Sequence, residues 1–341
     1  MLRQVKNPPN PWIGTVVEHL GPPPEAELAV FVDGSKSALA KNDSPDIDFT
    51  WSVNPYRGCY HGCAYCYARP SHEHLDFGSG SDFERKLVVK PEVASLLRAQ
   101  LEHPRWRGEL IMFSGNTDCY QPLEATWGLT RACLQVCLEF RNPVGIITKA
   151  TLIERDVELV AELAREAHAR VTISIPFWDA EVARAIEPWA PSPERRVKTI
   201  QRLADAGVPV GVNVAPIIPG LNDNDIPAIL ERAKDAGARH ANRILLRLPG
   251  PVKQVFQERL ELLLPARAAK VMHAIRESRD GKLYDSRFGE RQRGHGPRWR
   301  MIEDLFDACA ARLGLAGHPP LPATSTFRRP DKRPGRQLSL L

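Results

Sequence analysis

An α/β fold built on a parallel sheet of six strands is what this sequence predicts, on three observations. Short runs rich in β-branched and aliphatic residues occur at 49–53, 109–113, 144–148, 171–175, 208–214 and 243–248. Between them, residues 91–101, 124–139, 156–167, 193–206 and 225–236 carry apolar side chains at three- and four-residue spacing, the helical period. The helix boundaries are punctuated as well. Pro91 and Pro193 stand where a first helical turn tolerates proline, and Gly207 and Gly237 follow helices where a left-handed cap is wanted. Strands that each lead into a helix argue for right-handed crossovers within one sheet. An open six-stranded partial barrel is the natural closure, although a flat doubly wound sheet has the same periodicity.

Around that body the chain divides by composition. Residues 1–48 hold the proline-rich runs at 7–11 and 21–24 and read as an extended N-terminal arm. Residues 49–250 form the barrel and 251–314 a helical extension with an arginine-rich loop. Residues 315–341 read as a basic, proline-rich, disordered tail. With 341 residues, 43% of them hydrophobic and 26% charged, the chain can fill a large core and is not a disordered protein. Seven cysteines, an odd number, and an N-terminal run without an apolar signal segment point to reduced thiols and a cytoplasmic location. No stretch approaches the roughly 18 apolar residues of a membrane span, so no membrane partner is expected.

Three of those cysteines, Cys59, Cys63 and Cys66, lie within eight positions in a CxxxCxxC spacing. Three thiolates can hold three irons of a cubane cluster and leave the fourth iron open to a small molecule, as an open zinc position is in catalytic zinc sites. The same cysteines with His72 or His74 would make a closed Cys₃His zinc site of structural use only.

The residues around the triplet carry a resemblance. CxxxCxxC with an aromatic, Tyr65, just before the last cysteine resembles the signature of the radical S-adenosylmethionine superfamily. The longer string from Asn54, NPYRGCYHGCAYCYARPSHEH, resembles its spore photoproduct lyase-like branch, which includes uncharacterised bacterial members. The resemblance extends over about residues 45–300. It implies a (β/α)6 partial barrel, a 4Fe-4S cluster on Cys59, Cys63 and Cys66, and S-adenosylmethionine chelated to the free iron with Tyr65 against its nucleoside. It further implies reductive cleavage of the sulfonium to a deoxyadenosyl radical that abstracts hydrogen from a substrate. The electron must come from an external low-potential reductant, since no flavin-type glycine fingerprint is visible.

In a barrel of parallel strands the chemistry collects at the carboxyl ends of the strands. After the second strand, Ser114, Gly115 and Asn116 match the segment that holds the cofactor's amino group in the family, without its glutamate. Lys149 and Ser174, at the third and fourth strands, match positions that satisfy the cofactor's carboxylate. Asn213 and Ile217 fall in the segment that lines the adenine. Arg247, at the sixth strand, could reach the cofactor or an anionic substrate. Tyr65 and Tyr67 flank Cys66 as tyrosines do in the lyases. Those lyases carry a hydrogen-donating cysteine where this chain has Met112 and Phe113, which leaves Cys119 as the candidate donor. Cys133, Cys137 and Cys309 fall on apolar stripes and read as core.

The formal charge of +5 is unevenly spread. In the tail, Arg328, Arg329, Lys332, Arg333 and Arg336 oppose Asp331 alone, five cations against one carboxylate, leaving +4. Arg287, Arg291, Arg293, Arg298 and Arg300, with Phe288 and Trp299 interleaved, form a candidate DNA or RNA footprint. The terminal residues Gln337, Leu338, Ser339, Leu340 and Leu341 resemble a bacterial sliding-clamp-binding motif. Three readings follow: a radical enzyme acting on nucleic acid or a nucleotide, a zinc-stapled nucleic-acid-binding protein, and a clamp-associated adaptor without turnover. The first uses the most residues.

Overall fold

The computed structural model describes residues 28–315, 317 and 325–330. Its strands are Ala29–Val32 (β1), Leu39–Lys41 (β2), Trp51–Val53 (β3), Tyr56–Arg57 (β4), Lys86–Val89 (β5), Ile111–Phe113 (β6), Val144–Thr148 (β7), Arg170–Ser174 (β8), Val210–Ile217 (β9) and Ala241–Leu245 (β10). The helices are Ser81–Arg85 (α1), Val93–Glu102 (α2), Glu124–Trp127 (α3), Leu129–Glu139 (α4), Val157–Ala167 (α5), Ala180–Ile186 (α6), Pro193–Asp205 (α7), Ile226–Asp235 (α8), Val252–Leu263 (α9), Pro265–Glu277 (α10) and Gly296–Leu313 (α11).

Strand order settles the closure that periodicity left open. The main sheet runs β10-β9-β8-β7-β6-β3-β2, and β3, β6, β7, β8, β9 and β10 are parallel and add one after another on the same side. A doubly wound sheet reverses direction at a switch point, whereas this order never does. Crossovers of one hand that all advance one way put the helices on one face, and the sheet becomes a partial barrel. Strands covered on both faces should read as continuous apolar runs, and β7 and β8 are buried along nearly their whole length. β2 pairs antiparallel with β3 and ends the sheet.

A second, three-stranded sheet, β1-β5-β4, stands beside the barrel and delivers the chain into the cysteine segment. The barrel core is one apolar cluster containing Val53, Phe113, Ile146, Ile173 and Val212. A separate cluster joins Cys63 and Tyr65 to Phe177, Leu246, Phe256 and Ile275, so that α9 and α10 support the cysteine segment. Cys133, Cys137 and Cys309 are core residues as expected. No helix among the described residues is long and apolar enough to cross a membrane.

Four features differ from the sequence reading. The arm is not coil throughout, because β1 and β2 fall within it. The helix expected over 124–139 is two helices, interrupted at Gly128, which takes a left-handed conformation. Three of the five arginines of the arginine-rich stretch are paired within the fold. Arg287 pairs with Asp285 at 2.7 Å, Arg298 with Glu277 at 2.6 Å, and Arg291 with Asp46, while Trp299 is 2% exposed and cannot stack on a base. Finally, residues 325–330 of the tail are docked rather than loose. The Phe327 ring stacks on Phe140 with centroids 6.2 Å apart. Arg329 donates to the carbonyls of Glu102, His103 and Trp106 at 3.2, 2.8 and 3.0 Å. Residues 337–341, which carry the clamp-like motif, lie outside the described residues.

Gly108 makes that docking feasible: its φ is +79°, and a Cβ there would lie 2.2 Å from Phe327 Cβ. Phe327→Ala should lower the urea-unfolding free energy by about 1–2 kcal/mol, the share of a half-buried ring. Gly108→Ala should cost at least as much, and the double variant less than the sum of the two, because both changes act on one contact. Strict additivity in the urea midpoints would show that the ring does not lie there.

Candidate active site

The segment between β4 and α1 owes its shape to a buried ionic triad. Arg69 is fully buried and opens the 3₁₀ turn Arg69–Leu75. Its guanidinium donates to the carbonyls of Cys63 (3.0 and 2.8 Å), Gly62 (3.1 Å), Ser79 (3.0 Å) and Gly80 (2.9 Å), and pairs with Glu84. Arg259 reaches in from α9, bonds the Gly62 carbonyl and meets the same Glu84 oxygen at 3.1 Å. Gly62 has φ +65°, and a Cβ on it would lie 3.0 Å from the Glu84 carboxylate. Two cations therefore fix the carbonyls on the inner side of the turn, and the thiols of Cys59, Cys63 and Cys66 are left on the wall of a cavity of about 200 Å³.

All three thiols are reduced. Burial, reinforced by the Asp118 charge, pushes the Cys59 thiol well above its ordinary range. Burial and then the Glu187 carboxylate push Cys63 up to about 12, and burial raises Cys66 as well. Thiols so disposed do not ionise alone, yet they face one space together, which is the donor set of a group that exchanges thiol protons for metal. Three thiols on one wall are the donor set of a cubane rather than of a single ion, since among the described residues no group of three His, Cys, Asp or Glu side chains is placed to hold one metal ion. His72 and His74 do not complete a zinc site: the His72 ring lies 2.8 Å from the Lys86 carbonyl on the far side of the segment, and His74 is exposed. The residue between the first two cysteines that does face the cavity is His61.

From the strand ends the cavity receives Ser114, Asn116, Lys149, Ser174, Asn213 and Arg247, six of the residues expected there, with Tyr65 and Tyr67 from the cysteine segment. Ser114 has φ +71°, a strained conformation for a residue with a Cβ; its Oγ accepts from the Cys119 N–H at 2.9 Å. The Asn116 N–H donates to Asn54 Oδ1 at 2.8 Å. Ser174 and Asn213 are register partners on β8 and β9.

Gly115, Ile217 and Cys119 are not brought to this cavity. Gly115 lines a neighbouring pocket and contributes only its carbonyl, which accepts from Tyr67 at 3.0 Å. β9 continues through position 217, and Ile217 is fully buried in the barrel core, while Ala215 and Pro216 face the cavity instead. Cys119 is 1% exposed within the same core cluster, and burial raises its thiol pKa. Met112, at the expected donor position, packs over Gly145.

Two carboxylates that the sequence did not single out organise the rest. Asp118 Oδ1 accepts from Thr148 Oγ1 at 2.6 Å and Oδ2 from the Lys149 N–H at 2.8 Å, tying the loop after β6 to the end of β7. Its Oδ2 also lies 3.5 Å from His61 Nδ1, and burial lowers the His61 pKa. Glu187, 2% exposed, accepts from the Tyr65 hydroxyl, pairs with Arg196 at 2.5 Å and lies 3.9 Å from Lys149 Nζ. Burial pushes the Glu187 carboxyl up, but Arg196 and Lys149 outweigh it and hold it below its ordinary value. Burial works against the charge on Lys149 too, and Cys63 and Glu187 outweigh it, so the ammonium is retained. At the open side Arg247 lies over the half-exposed Tyr67 ring, 5.3 Å from its centroid, with its buried Nε unpartnered.

Comparison with known proteins agrees with this construction. A family model described as the Radical SAM superfamily matches residues 53–233. An uncharacterised protein of Mycobacterium tuberculosis (strain ATCC 25618 / H37Rv) is 38% identical over 224 residues, 65% of this chain and 66% of its own length. The chain thus spans just under two thirds of that relative. An uncharacterised protein of Methanocaldococcus jannaschii is 30% identical over 171 residues, 50% of this chain and 61% of its own. Among solved structures, spore photoproduct lyase complexed with dinucleoside spore photoproduct has a TM-score of 0.60 at 16% identity, covering 88% of this chain and 86% of that one. A mutant of that lyase with bound AdoMet and dinucleoside spore photoproduct also gives 0.60, at 15% identity and the same coverage. These structural likenesses are likenesses of fold.

Removing Arg69 leaves the Cys63, Ser79 and Gly80 carbonyls without its donors and Glu84 with Arg259 as its remaining partner, so Arg69→Met should destabilise the chain by about 3–5 kcal/mol in urea unfolding. An unchanged midpoint would show that the segment holds itself. His72 supplies a pH signature: burial lowers its pKa to about 4, against about 6.5 in an unfolded chain. Between those values the unfolded form binds the extra proton, so stability falls as the pH drops. From pH 7 to 4.5, wild type should lose about 2–3 kcal/mol more than His72→Gln. Equal losses in the two would remove His72 as the cause.

Proposed function

This chain belongs to the radical SAM superfamily, and from that membership we propose an enzyme of the spore photoproduct lyase-like branch that abstracts hydrogen from a substrate entering beside Tyr67 and Arg247. The observation that carries the proposal is the convergence on one cavity of three unpaired thiols and polar side chains from successive strand ends. Cys59, Cys63 and Cys66 would hold a 4Fe-4S cluster, and Ser114, Asn116, Lys149, Ser174 and Asn213 would hold S-adenosylmethionine. When bound, the pair supplies a deoxyadenosyl radical by reductive cleavage of the sulfonium, with the electron delivered by an external low-potential reductant.

The protein's share is binding, orientation and exclusion of water. Lys149 keeps its charge and can meet a carboxylate, since Glu187 lies 3.9 Å away rather than in hydrogen-bond contact. The Tyr65 ring is fixed at its hydroxyl by Glu187 and packs beside Phe177, so it is a rigid wall rather than a mobile side chain. Asp118 sets the spacing between the loop after β6 and the end of β7, where the groups for opposite ends of an amino acid would lie. Arg247, with a free Nε, offers a donor to an anionic or polar substrate at the open side. Cys119 is enclosed in the core, so hydrogen return to a substrate radical, where it is needed, must come from another donor.

Anaerobic reconstitution tests the reading. Wild type should take up about four irons and four sulfides per chain and form deoxyadenosine from S-adenosylmethionine under dithionite. The Cys59→Ala, Cys63→Ala, Cys66→Ala triple variant should do neither. One zinc per wild-type chain with no cleavage would overturn it in favour of a zinc-stapled binding protein.

A further inference from the structure

Beside the cavity lies a second pocket, of about 300 Å³, whose lining charges are all positive: Lys41 from β2, Arg57 from β4 and Lys90 just past β5. One carboxylate, Asp33, faces two of them, 3.6 Å from Arg57 Nε and 3.8 Å from Lys90 Nζ. Both separations are too long for a hydrogen bond, so Asp33 offsets charge without occupying the donors. Three cations against one carboxylate leave a surplus of two positive charges. Lys90 is only 12% exposed at its side chain, and burial, then the Arg57 charge, lowers its pKa. A bound anion would relieve that repulsion.

The pocket also has neutral polar walls, Ser52 and Asn54, and it adjoins the cavity: Asn116 lines both. The bridge between them is built. Tyr67 donates from its hydroxyl to the Gly115 carbonyl at 3.0 Å, with Gly115 in the pocket and the Tyr67 ring, 46% exposed, at the cavity. A flat ring that can stack a base thus stands one residue from a cationic socket that can take a phosphate. In the arginine-rich loop, by contrast, Arg287, Arg291 and Arg298 are each paired, with Asp285, Asp46 and Glu277.

We propose that the pocket formed by Lys41, Arg57 and Lys90 binds a phosphate ester of the substrate while Tyr67 stacks its base at the mouth of the cavity, so that the substrate is a nucleotide or a polynucleotide. This rests on the reading of the cavity as the reaction site. A surplus of two charges matches one phosphate dianion or two diester phosphates.

The test is anisotropy of a fluorescein-labelled single-stranded decathymidylate on the full chain, with thymidine monophosphate and thymidine as competitors. Lys41 is exposed on an edge strand, so Lys41→Gln should fold as wild type and weaken binding about three- to tenfold. Adding Lys90→Gln should weaken it at least tenfold and flatten the salt slope by about 1.4, two contacts at about 0.7 each. Lys198→Gln, on the distant helix α7, should change neither. Competition by thymidine monophosphate but not thymidine points to a free nucleotide as the source, and resistance to both points to a polynucleotide. Binding within twofold of wild type in both lysine variants, equal competition by thymidine, or no binding of either phosphate probe by wild type would overturn the proposal. Deoxyadenosine formation by wild type is read separately. Cleavage without phosphate-dependent binding sinks this inference alone, and binding without cleavage sinks the radical reading and leaves a phosphate site.

Discussion

The structure depends on the ion triad Arg69, Glu84 and Arg259. The cysteine segment has little regular structure of its own, and a turn with buried carbonyls is unstable unless those oxygens find donors. Arg69 alone supplies five hydrogen bonds to four carbonyls, and Arg259 brings in α9 from almost two hundred residues away. Glu84 keeps the pair from being two unbalanced buried charges. Because the donors act on main-chain oxygens, the thiols are left on the cavity wall, where among the described residues only Cys63 has a side-chain partner, Glu187 at 4.0 Å. The cost of burying three charged groups is accepted at the one place where the backbone cannot satisfy itself.

A second network, centred on Glu187, ties the cysteine segment to the barrel. Glu187 follows α6, Arg196 sits on α7, Lys149 ends β7 and Tyr65 belongs to the cysteine motif, so one carboxylate registers four parts of the chain against each other. Arg196 also donates to the Ser174 carbonyl at 2.9 Å, which extends the same frame to β8. The triad fixes where the thiols are, and Glu187 fixes where the residues opposite them are. A site with the cysteines alone would have a cluster and no defined space beside it.

This division explains what was legible in the sequence. The six barrel strands and five helices show as periodic patterns because burial on a strand or helix repeats with the backbone, and the cysteine spacing shows because its ligands are close in sequence. Lys149, Ser174 and Asn213, picked out by their place at strand ends, line the cavity. Ile217 lies in the core because β9 runs further than its β-branched run suggests, and Cys119 is in the core while its neighbour Asp118 lines the cavity. Glu187, Arg196, Glu84 and Arg259 leave no local signal: each is an ordinary charged residue in a helix or at its end, and only the fold brings it to its partner. The strands within the arm were hidden for the same reason, since they are set by pairing with other strands, whereas the split at Gly128 had a local signal, a glycine inside a helical run.

The distribution of charge follows from these constraints more than from the net value of +5. Runs of arginine draw the eye, but Arg287, Arg291 and Arg298 each have a carboxylate within the fold, and Arg329 is consumed in holding carbonyls. Cations widely spaced in sequence, Lys41, Arg57 and Lys90, come together because β2, β4 and β5 meet where the small sheet abuts the barrel edge, and between them they share one acid. Positive potential depends on charges that the fold leaves without local opposition, not on their density along the chain. By that criterion the pocket next to the cavity, on the side opened by Tyr67 and Asn116, is electropositive. An anionic substrate would then be drawn toward the thiol-bearing wall by the same strands that present it.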